Sequence, residues 1–345
     1  MLQECYGKLP VKTMMYIQEQ IDKKLEQQVE QPRPHMGCSI LGHPCDRYLW
    51  LAFHWAVTQK FPGRLLRLFK RGQDEEASAI RYLGLIGAKV TQQQQVVDFG
   101  QHVSGSVDGV IAGLPGHELA KVLLEIKTHN KKSFNELEKK GVQLAKPVHY
   151  TQMQVYMHGL KLDRALYYAV CKDDDRLHTE IVMYNLEAAV FAIERGQRIA
   201  MTSRMPEPIA ATGDYYVCKM CPMSEFCHQT QCTKNVNCRT CAYADPTINS
   251  TWRCMVHGAD IPYNWQRSGC DNHVLHSDLV PWPMTINDDG PPQYRIDGKL
   301  VANGASGPGV YSSREILADP ALCASADPTV EELRSRFNAT IVEAS

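Results

Sequence analysis

The sequence predicts an α/β fold in which a mixed central sheet is flanked by helices and followed by a Cys-rich, metal-binding C-terminal extension. Three observations predict it. Helical and strand-like segments alternate between Cys45 and residue 203. The run Val122-Leu-Leu-Glu-Ile126 is apolar enough for a strand covered on both faces. Eight of the thirteen cysteines fall within residues 214–276, where helical and strand periodicity are both weak, so metals are expected to replace an apolar core there.

Composition bounds the rest. With 345 residues, 44% hydrophobic and 22% charged, the chain can bury one large domain plus an appendage, or two domains. A net charge of −1 excludes a wholly basic nucleic-acid binder, so any contact with a polyanion must come from local patches. No apolar run approaches the roughly 18 residues needed to cross a bilayer. The start, MLQECYGKLPVKTMMYIQEQ, lacks the apolar centre of a signal peptide, which predicts a cytoplasmic protein. In a reducing compartment an odd number of cysteines argues for metal binding over disulfides.

The elements follow in order. Residues 1–36 read as a polar, Gln-rich helix ended by Gln31-Pro-Arg-Pro34. Residues 37–230 form the main domain. Cys45–Thr58 is apolar and aromatic enough for a buried helix, and residues 64–84 form a second helix carrying Arg64, Arg67, Lys70 and Arg71. QQVVDFG, HVSGSVDGVIAG and KVLLEIKT read as strands. KKSFNELEKK is a polar helix, and VHYTQMQVYMHGL after Pro147 an amphipathic one. ALYYAVCK and HTEIVMYN form a hairpin across Asp173-Asp174-Asp175, and a helix spans residues 186–203. Residues 231–276 form a zinc-binding module. The tail, 277–345, carries a hairpin at Asp297-Gly298 and a short helix opened by a capping box, Thr329 with Glu332, with Val330, Leu333 and Phe337 inward.

The strongest chemical signal is Gly105-Ser-Val-Asp108-Gly109 followed by Leu124-Glu125-Ile126-Lys127-Thr128. On a strand Glu125 and Lys127 point to one face, while Leu124 and Ile126 point into the fold. An antiparallel turn through Gly113–Gly116 brings Asp108 alongside. Two carboxylates and a lysine at a sheet edge suit cleavage of a phosphodiester with Mg²⁺ or Mn²⁺. Hard oxygen ligands hold the cation, and cation and lysine together stabilise the attacking hydroxide.

These residues resemble the PD-(D/E)xK nuclease superfamily, in its RecB-like and lambda-exonuclease-like branch. The resemblance implies a restriction-endonuclease-like core. Two further segments carry it. Gln152 and Tyr156, at i,i+4 on the helix after the lysine strand, match the branch's Gln-x-x-x-Tyr motif, which lies against substrate and active site. Lys70-Arg71-Gly72-Gln73-Asp74-Glu75-Glu76 resembles its first helix, which places Glu76, with Glu75 as the alternative, near the metals. The ligands this implies are Glu76, Asp108, Glu125 and the Ile126 carbonyl. Arg64, Arg67, Arg71, Lys131 and Lys132 are the candidate contacts to DNA phosphates.

Two cysteine clusters follow. Cys218, Cys221 and Cys227 form C-x2-C-x5-C and need a fourth ligand. The resemblance, here to the CRISPR-adaptation nucleases, supplies Cys45 ahead of an Arg-aromatic helix and implies a [4Fe–4S] cluster. The alternative is a local zinc site completed by Cys232. The second cluster, Cys238, Cys241, Cys254 and Cys270, has a C-x2-C knuckle and the spacing of a zinc ribbon-like site, with His257 and His273 in reserve. Cys5, Cys38, Cys171 and Cys323 have no evident partner.

The resemblance thus implies a metal-dependent DNA exonuclease of phage or bacterial recombination acting on linear ends, with a single-strand annealing protein as partner. Ring-shaped homo-oligomers occur among such relatives, though no interface signature is visible here. The alternatives are an endonuclease or CRISPR-adaptation-type nuclease on the same core, or an inactive zinc-containing DNA-binding or scaffold protein. The complete set of Asp108, Glu125 and Lys127 argues against inactivity. No G-x-x-x-x-G-K-[ST] loop is present, so the chain carries no helicase motor.

Overall fold

The computed structural model describes residues 11–28, 31–286 and 290–343. Helix α1 (Val11–Glu26) ends before Gln31, where the sequence places its end, and residues 1–10, with Cys5, and 29–30 of that predicted unit lie outside the described residues. Next come β1 (Met36–Gly37), α2 (Asp46–Phe53), α3 (Gly63–Leu85), β2 (Lys89–Thr91), β3 (Val96–Asp98), β4 (Val103–Ser106), β5 (Gly109–Ala112) and β6 (Val122–His129). Helices α4 (Lys131–Ala145) and α5 (Pro147–Leu160) lead to β7 (Arg164–Cys171), β8 (Leu177–Met183) and α6 (Leu186–Ala200).

The central sheet has the order β2-β5-β6-β7-β8. Only β6 and β7 run parallel, joined by the α4–α5 crossover, so the sheet is mixed. Two apolar layers cover it. Leu123, Tyr167 and Ala169 face α4, α5 and the α2–α6 layer, while Val122, Leu124, Ile126 and Tyr168 face Ala79 and Leu83 of α3. At about 25 cal/mol per Å² of apolar surface removed from water, this double burial favours β6 strongly enough to carry one buried carboxylate in its midst.

Two elements differ from expectation. HVSGSVDGVIAG is not one strand. It breaks at Val107-Asp108, with β4 joining β1 and β3 in a separate three-stranded sheet and β5 joining the central one. The break leaves Asp108 at the mouth of β5. Helix α5 is not amphipathic, because it is sandwiched: Gln152, Met153, Gln154, Val155, Tyr156 and Met157 are all buried. Its polar residues are satisfied internally, Gln154 bonding Met183 O and Asn185 N at 3.0 and 2.6 Å.

The C-terminal third holds α7 (Tyr216–Lys219), a three-stranded antiparallel sheet of β9 (Ala244–Pro246), β10 (Trp252–Cys254) and β11 (Ala259–Asp260), and α8 (Tyr263–Gln266). It is not an independent unit: Cys241, Ala244, Trp252 and Leu279 share the main core with Trp50 and Phe53. Arg239 joins the two. Its guanidinium lies 3.8 Å from the Trp55 ring centroid and donates to Phe53 O, Pro34 O and Gln266 Oε1 at 2.8–2.9 Å.

The tail has its own core. Strands β12 (Met284–Thr285), β13 (Gln293–Ile296), β14 (Lys299–Asn303) and β15 (Val310–Tyr311) form one sheet, packed by α9 (Ser313–Ala318), α10 (Pro320–Ser325) and α11 (Pro328–Phe337). The hairpin is where it was expected, with Asp297 and Gly298 both at positive φ (47° and 80°), the turn that suits an Asp-Gly pair. The α11 prediction is corrected. Asp327, not Thr329, caps the helix, and Leu333 and Phe337 are exposed. The buried residue is Arg334, which pairs with Glu315 and Glu331 at 3.1 and 2.9 Å over the Tyr311 ring. No helix among the described residues is long and apolar enough to cross a membrane.

Candidate active site

Because β5 begins at Gly109, opposite Leu124, the edge of β6 is uncovered from Glu125 onward. Asp108 fills that gap: its Oδ2 accepts the Ile126 N–H at 2.7 Å. In an extended strand a residue's N–H and C=O point to the same side, so the Ile126 carbonyl faces this gap as well. Glu125 and Lys127 share a face, as their spacing requires, and Lys127 Nζ donates to Glu125 Oε1.

Glu125 is fully buried, and its Oε2 has no hydrogen-bond partner. Burial pushes this carboxyl up to about 7; Lys127 pulls it down, but not enough, and Asp108 and Glu76 add repulsion. Burial also works against the Lys127 ammonium, yet Glu125, Asp108 and Glu76 together hold it above the ordinary lysine range. Burial raises Glu76, with Asp108 next in effect and Lys127 opposing. Glu76 therefore belongs to the constellation, whereas Glu75 lies near Tyr168 on the α3 side of the sheet.

Three carboxylates, one of them with an unpartnered buried oxygen, and a strand carbonyl form an oxygen-only donor set, which fits a hard divalent cation. Among the described residues no three His, Cys, Asp or Glu side chains are drawn together closely enough to hold a metal as they stand.

Gln152 and Tyr156 are buried beneath the site. They hydrogen-bond each other, and Glu125 and Asp108 are among the charges near Tyr156. The Tyr156 hydroxyl sits 2.6 Å from where a Cβ on Gly105 would be, so only glycine fits that position of β4. Of the candidate phosphate contacts, Arg64 and Lys132 are exposed on α3 and at the start of α4. Arg67 is paired with Asp22 of α1, Arg71 donates to Lys172 O at 3.0 Å, and Lys131 reaches Asp174 at 3.6 Å.

The sequence reading missed a polar cluster next to Lys127. His129 Nε2 and His149 Nδ1 lie 2.9 and 2.7 Å from the Tyr167 hydroxyl, and His129 Nδ1 lies 3.0 Å from Ser133 Oγ. One signal was available: Glu125, Lys127 and His129 continue the same alternation on one strand face.

Each cysteine cluster lines one small pocket. Cys45, Cys218, Cys221 and Cys227 share the first with Tyr48 and His228. Cys232 is elsewhere, packed against the tail's core, its Sγ 3.6 Å from Thr233 O. Cys238, Cys241, Cys254 and Cys270 line the second, and His257 does not. His273 borders it, but both ring nitrogens are engaged, Nδ1 with Ser313 Oγ at 2.8 Å and Nε2 with Asn237 O at 3.0 Å. Four thiols are the donor type of thiophilic metal centres, but neither set is gathered closely enough to hold a metal as it stands. Cys38, Cys171 and Cys323 are buried thiols.

No protein-family model and no curated protein matches the chain. Among solved structures, a protein described as SSO0001 is similar at 18% identity and a TM-score of 0.38, over 62% of this chain and 96% of that one. The alkaline exonuclease LHK-Exo from Laribacter hongkongensis, in complex with dAMP, is similar at 17% and 0.37, over 52% and 90%. A phage related exonuclease from Haemophilus somnus 129PT is similar at 18% and 0.30, over 38% and 68%. All three likenesses lie at 17–18% identity and TM-scores of 0.30–0.38.

Proposed function

We propose that this chain is a Mg²⁺- or Mn²⁺-dependent deoxyribonuclease that hydrolyses phosphodiester bonds from the ends of linear DNA. The observation that carries the reading is the open edge of β6, where Glu76, Asp108, Glu125 and Lys127 converge and a buried Glu125 oxygen lacks a donor. Asp108, Glu125 and the Ile126 carbonyl would hold the cation, with Glu76 beside them. When bound, the cation supplies Lewis-acid stabilisation of the charge developing on the phosphate. Lys127, kept charged by its three carboxylate neighbours, orients the attacking water and faces the same developing charge. Gln152 and Tyr156 act from below by fixing the strand ends that carry Asp108 and Glu125.

In the same reading Cys45, Cys218, Cys221 and Cys227 hold a [4Fe–4S] cluster that ties the start of α2 to the end of the main domain. Cys238, Cys241, Cys254 and Cys270 hold Zn²⁺. Exonuclease rather than endonuclease action, and a role in recombination beside an annealing protein, rest on the resemblance in sequence.

The test is digestion of end-labelled linear DNA and of a closed circle, with Mg²⁺ or Mn²⁺, by wild type and Lys127→Ala. Metal-dependent loss of the linear substrate alone, absent in the variant, is expected. Cutting of the circle would make the enzyme an endonuclease, and inertness of a folded, metal-loaded chain would leave a DNA-binding protein.

A further inference from the structure

The hydrogen-bonded chain Ser133–His129–Tyr167–His149 lies on the same face of the sheet as Glu125 and Lys127. Glu125 and Tyr167 are direct neighbours across the β6–β7 ladder, and His129 follows Lys127 on β6. The chain runs from the first turn of α4 to the first turn of α5, with links of 3.0, 2.9 and 2.7 Å. Nothing in the cleavage scheme uses it. It ends at the half-buried His149, whose charged neighbours are Lys127 and Lys146 and whose Nε2 has no hydrogen bond among the described residues.

The protons on this chain can run in one of two senses. Burial lowers His149 to about 3 and His129 to about 4, so both imidazoles are neutral and each carries one N–H. The Tyr167 hydroxyl can donate to one ring and accept from the other. If Ser133 donates to His129 Nδ1, then His129 Nε2–H donates to Tyr167, and Tyr167 donates to His149 Nδ1. This sense puts the last proton on His149 Nε2, near Lys127. The opposite sense makes that nitrogen an acceptor and turns the half-buried Ser133 hydroxyl outward, so the group that meets Nε2 selects between them, and an anionic oxygen selects the first.

We propose that His149 Nε2–H contacts a phosphate oxygen of the bound DNA strand beside Lys127, and that Tyr167 and His129 are positioning residues that fix its tautomer. This rests on the nuclease reading for its ligand but makes a separate demand, a neutral donor at a defined atom. A neutral donor next to a lysine grips a phosphate without adding repulsion to the Lys127 ammonium.

The test reads binding apart from chemistry. The Kd for a short fluorescent DNA duplex is measured in EDTA for wild type, His149→Ala, His149→Asn, His149→Gln and Tyr167→Phe, alongside melting curves. One lost hydrogen bond to a charged oxygen should raise Kd about tenfold in His149→Ala. The Gln amide nitrogen reaches the Nε2 position and should recover most of the loss; the Asn amide, at the Nδ1 position, should not. Tyr167→Phe should weaken binding alone and add nothing in the His149→Ala background. In cleavage assays the His149 loss should fall in KM more than in kcat.

Equal Kd for wild type and a folded His149→Ala overturns the proposal, as does equal rescue by Asn and Gln. If His149→Ala fails to fold, the comparison of Gln with Asn decides. A wild type that binds DNA but never cleaves it would defeat the nuclease reading and leave the His149 comparison standing. A wild type that does not bind DNA overturns both.

Discussion

The Asp108 carboxylate accepts the backbone N–H of Ile126 at 2.7 Å, just beyond Gly109 and Leu124, the last paired residues of β5 and β6. A side chain thus takes the place of the next ladder bond, and the sheet opens where its charges gather. Asp108 is both the stopper of one strand and a candidate ligand, so its substitutions should separate into two effects. Asp108→Asn keeps an acceptor for Ile126 and should melt near wild type while losing cleavage. Asp108→Ala leaves that N–H without its partner and should also lower stability by roughly 1–3 kcal/mol, read by urea denaturation. Equal stability of the two variants would contradict the structural half of this assignment.

Lys127→Ala should reduce metal-dependent cleavage by at least about a hundredfold, in the range of a positioned proton-transfer or charge-stabilising group. Because Lys127 is also the donor to buried Glu125, Lys127→Met is the matching control. Both variants should be inactive. Activity near the wild-type rate in either one would remove Lys127 from the mechanism.

The buried Glu125 predicts an unusual response to pH. Its folded-state pKa is raised, to about 7, so the metal-free fold favours the protonated form. That stabilisation is fully present below the unfolded value near 4.5 and is lost as pH rises through about 7. Metal-free wild type should therefore lose on the order of 2 kcal/mol between pH 5 and pH 8 from this group. Glu125→Gln should flatten the profile, and the rise in Tm on adding Mn²⁺ should be larger at pH 8 than at pH 6. Parallel profiles for wild type and Glu125→Gln would rule out this origin.

The pocket geometry separates the cysteines. Anaerobically purified wild type should be brown, and both Cys45→Ala and Cys218→Ala should lose the colour and much of their solubility. Cys232→Ala should keep it, since Cys232 stands outside that pocket. A stable, colourless wild type would replace iron–sulfur with zinc or bare thiols.

Zinc content should fall on Cys254→Ser and on Cys270→Ser, measured by elemental analysis. His273→Gln should retain zinc while losing roughly 1–3 kcal/mol of stability, because its ring nitrogens serve Ser313 and Asn237. Loss of zinc in His273→Gln would return that residue to the ligand set.

Much of this was legible in the sequence wherever local pattern and tertiary role coincide. The alternation of Glu125 and Lys127, the buried run of β6 and the Asp297-Gly298 turn are all local, and all read correctly. What was not legible depends on partners distant in sequence. The all-round burial of α5 needs β3, β7 and α6 to surround it, which a polar-apolar pattern cannot show. The α11 face was misread because Arg334 finds two carboxylates there, and a paired arginine displaces Leu333 and Phe337 from the interior. His149 and Tyr167 are 18 residues apart, and only the parallel crossover brings them together.

The Arg239 guanidinium, enclosed by Phe53, Trp55 and Trp252 and paired with no carboxylate among the described residues, is held at lowered basicity by its burial, near 9. Such a charge tolerates no partial opening: peeling the cysteine-rich segment away parts it from the Phe53 and Trp55 rings and from the Phe53 and Pro34 carbonyls at once. Residues 231–276 are therefore a keystone rather than an attachment. A chain ending near residue 230 should be insoluble rather than a smaller working enzyme, and brief trypsin treatment of the native protein should release no stable fragment at that point. If the two cysteine sets hold metals as proposed, loss of either would be felt at the β6 edge as a loosening of the whole body, far from the residues proposed to meet DNA.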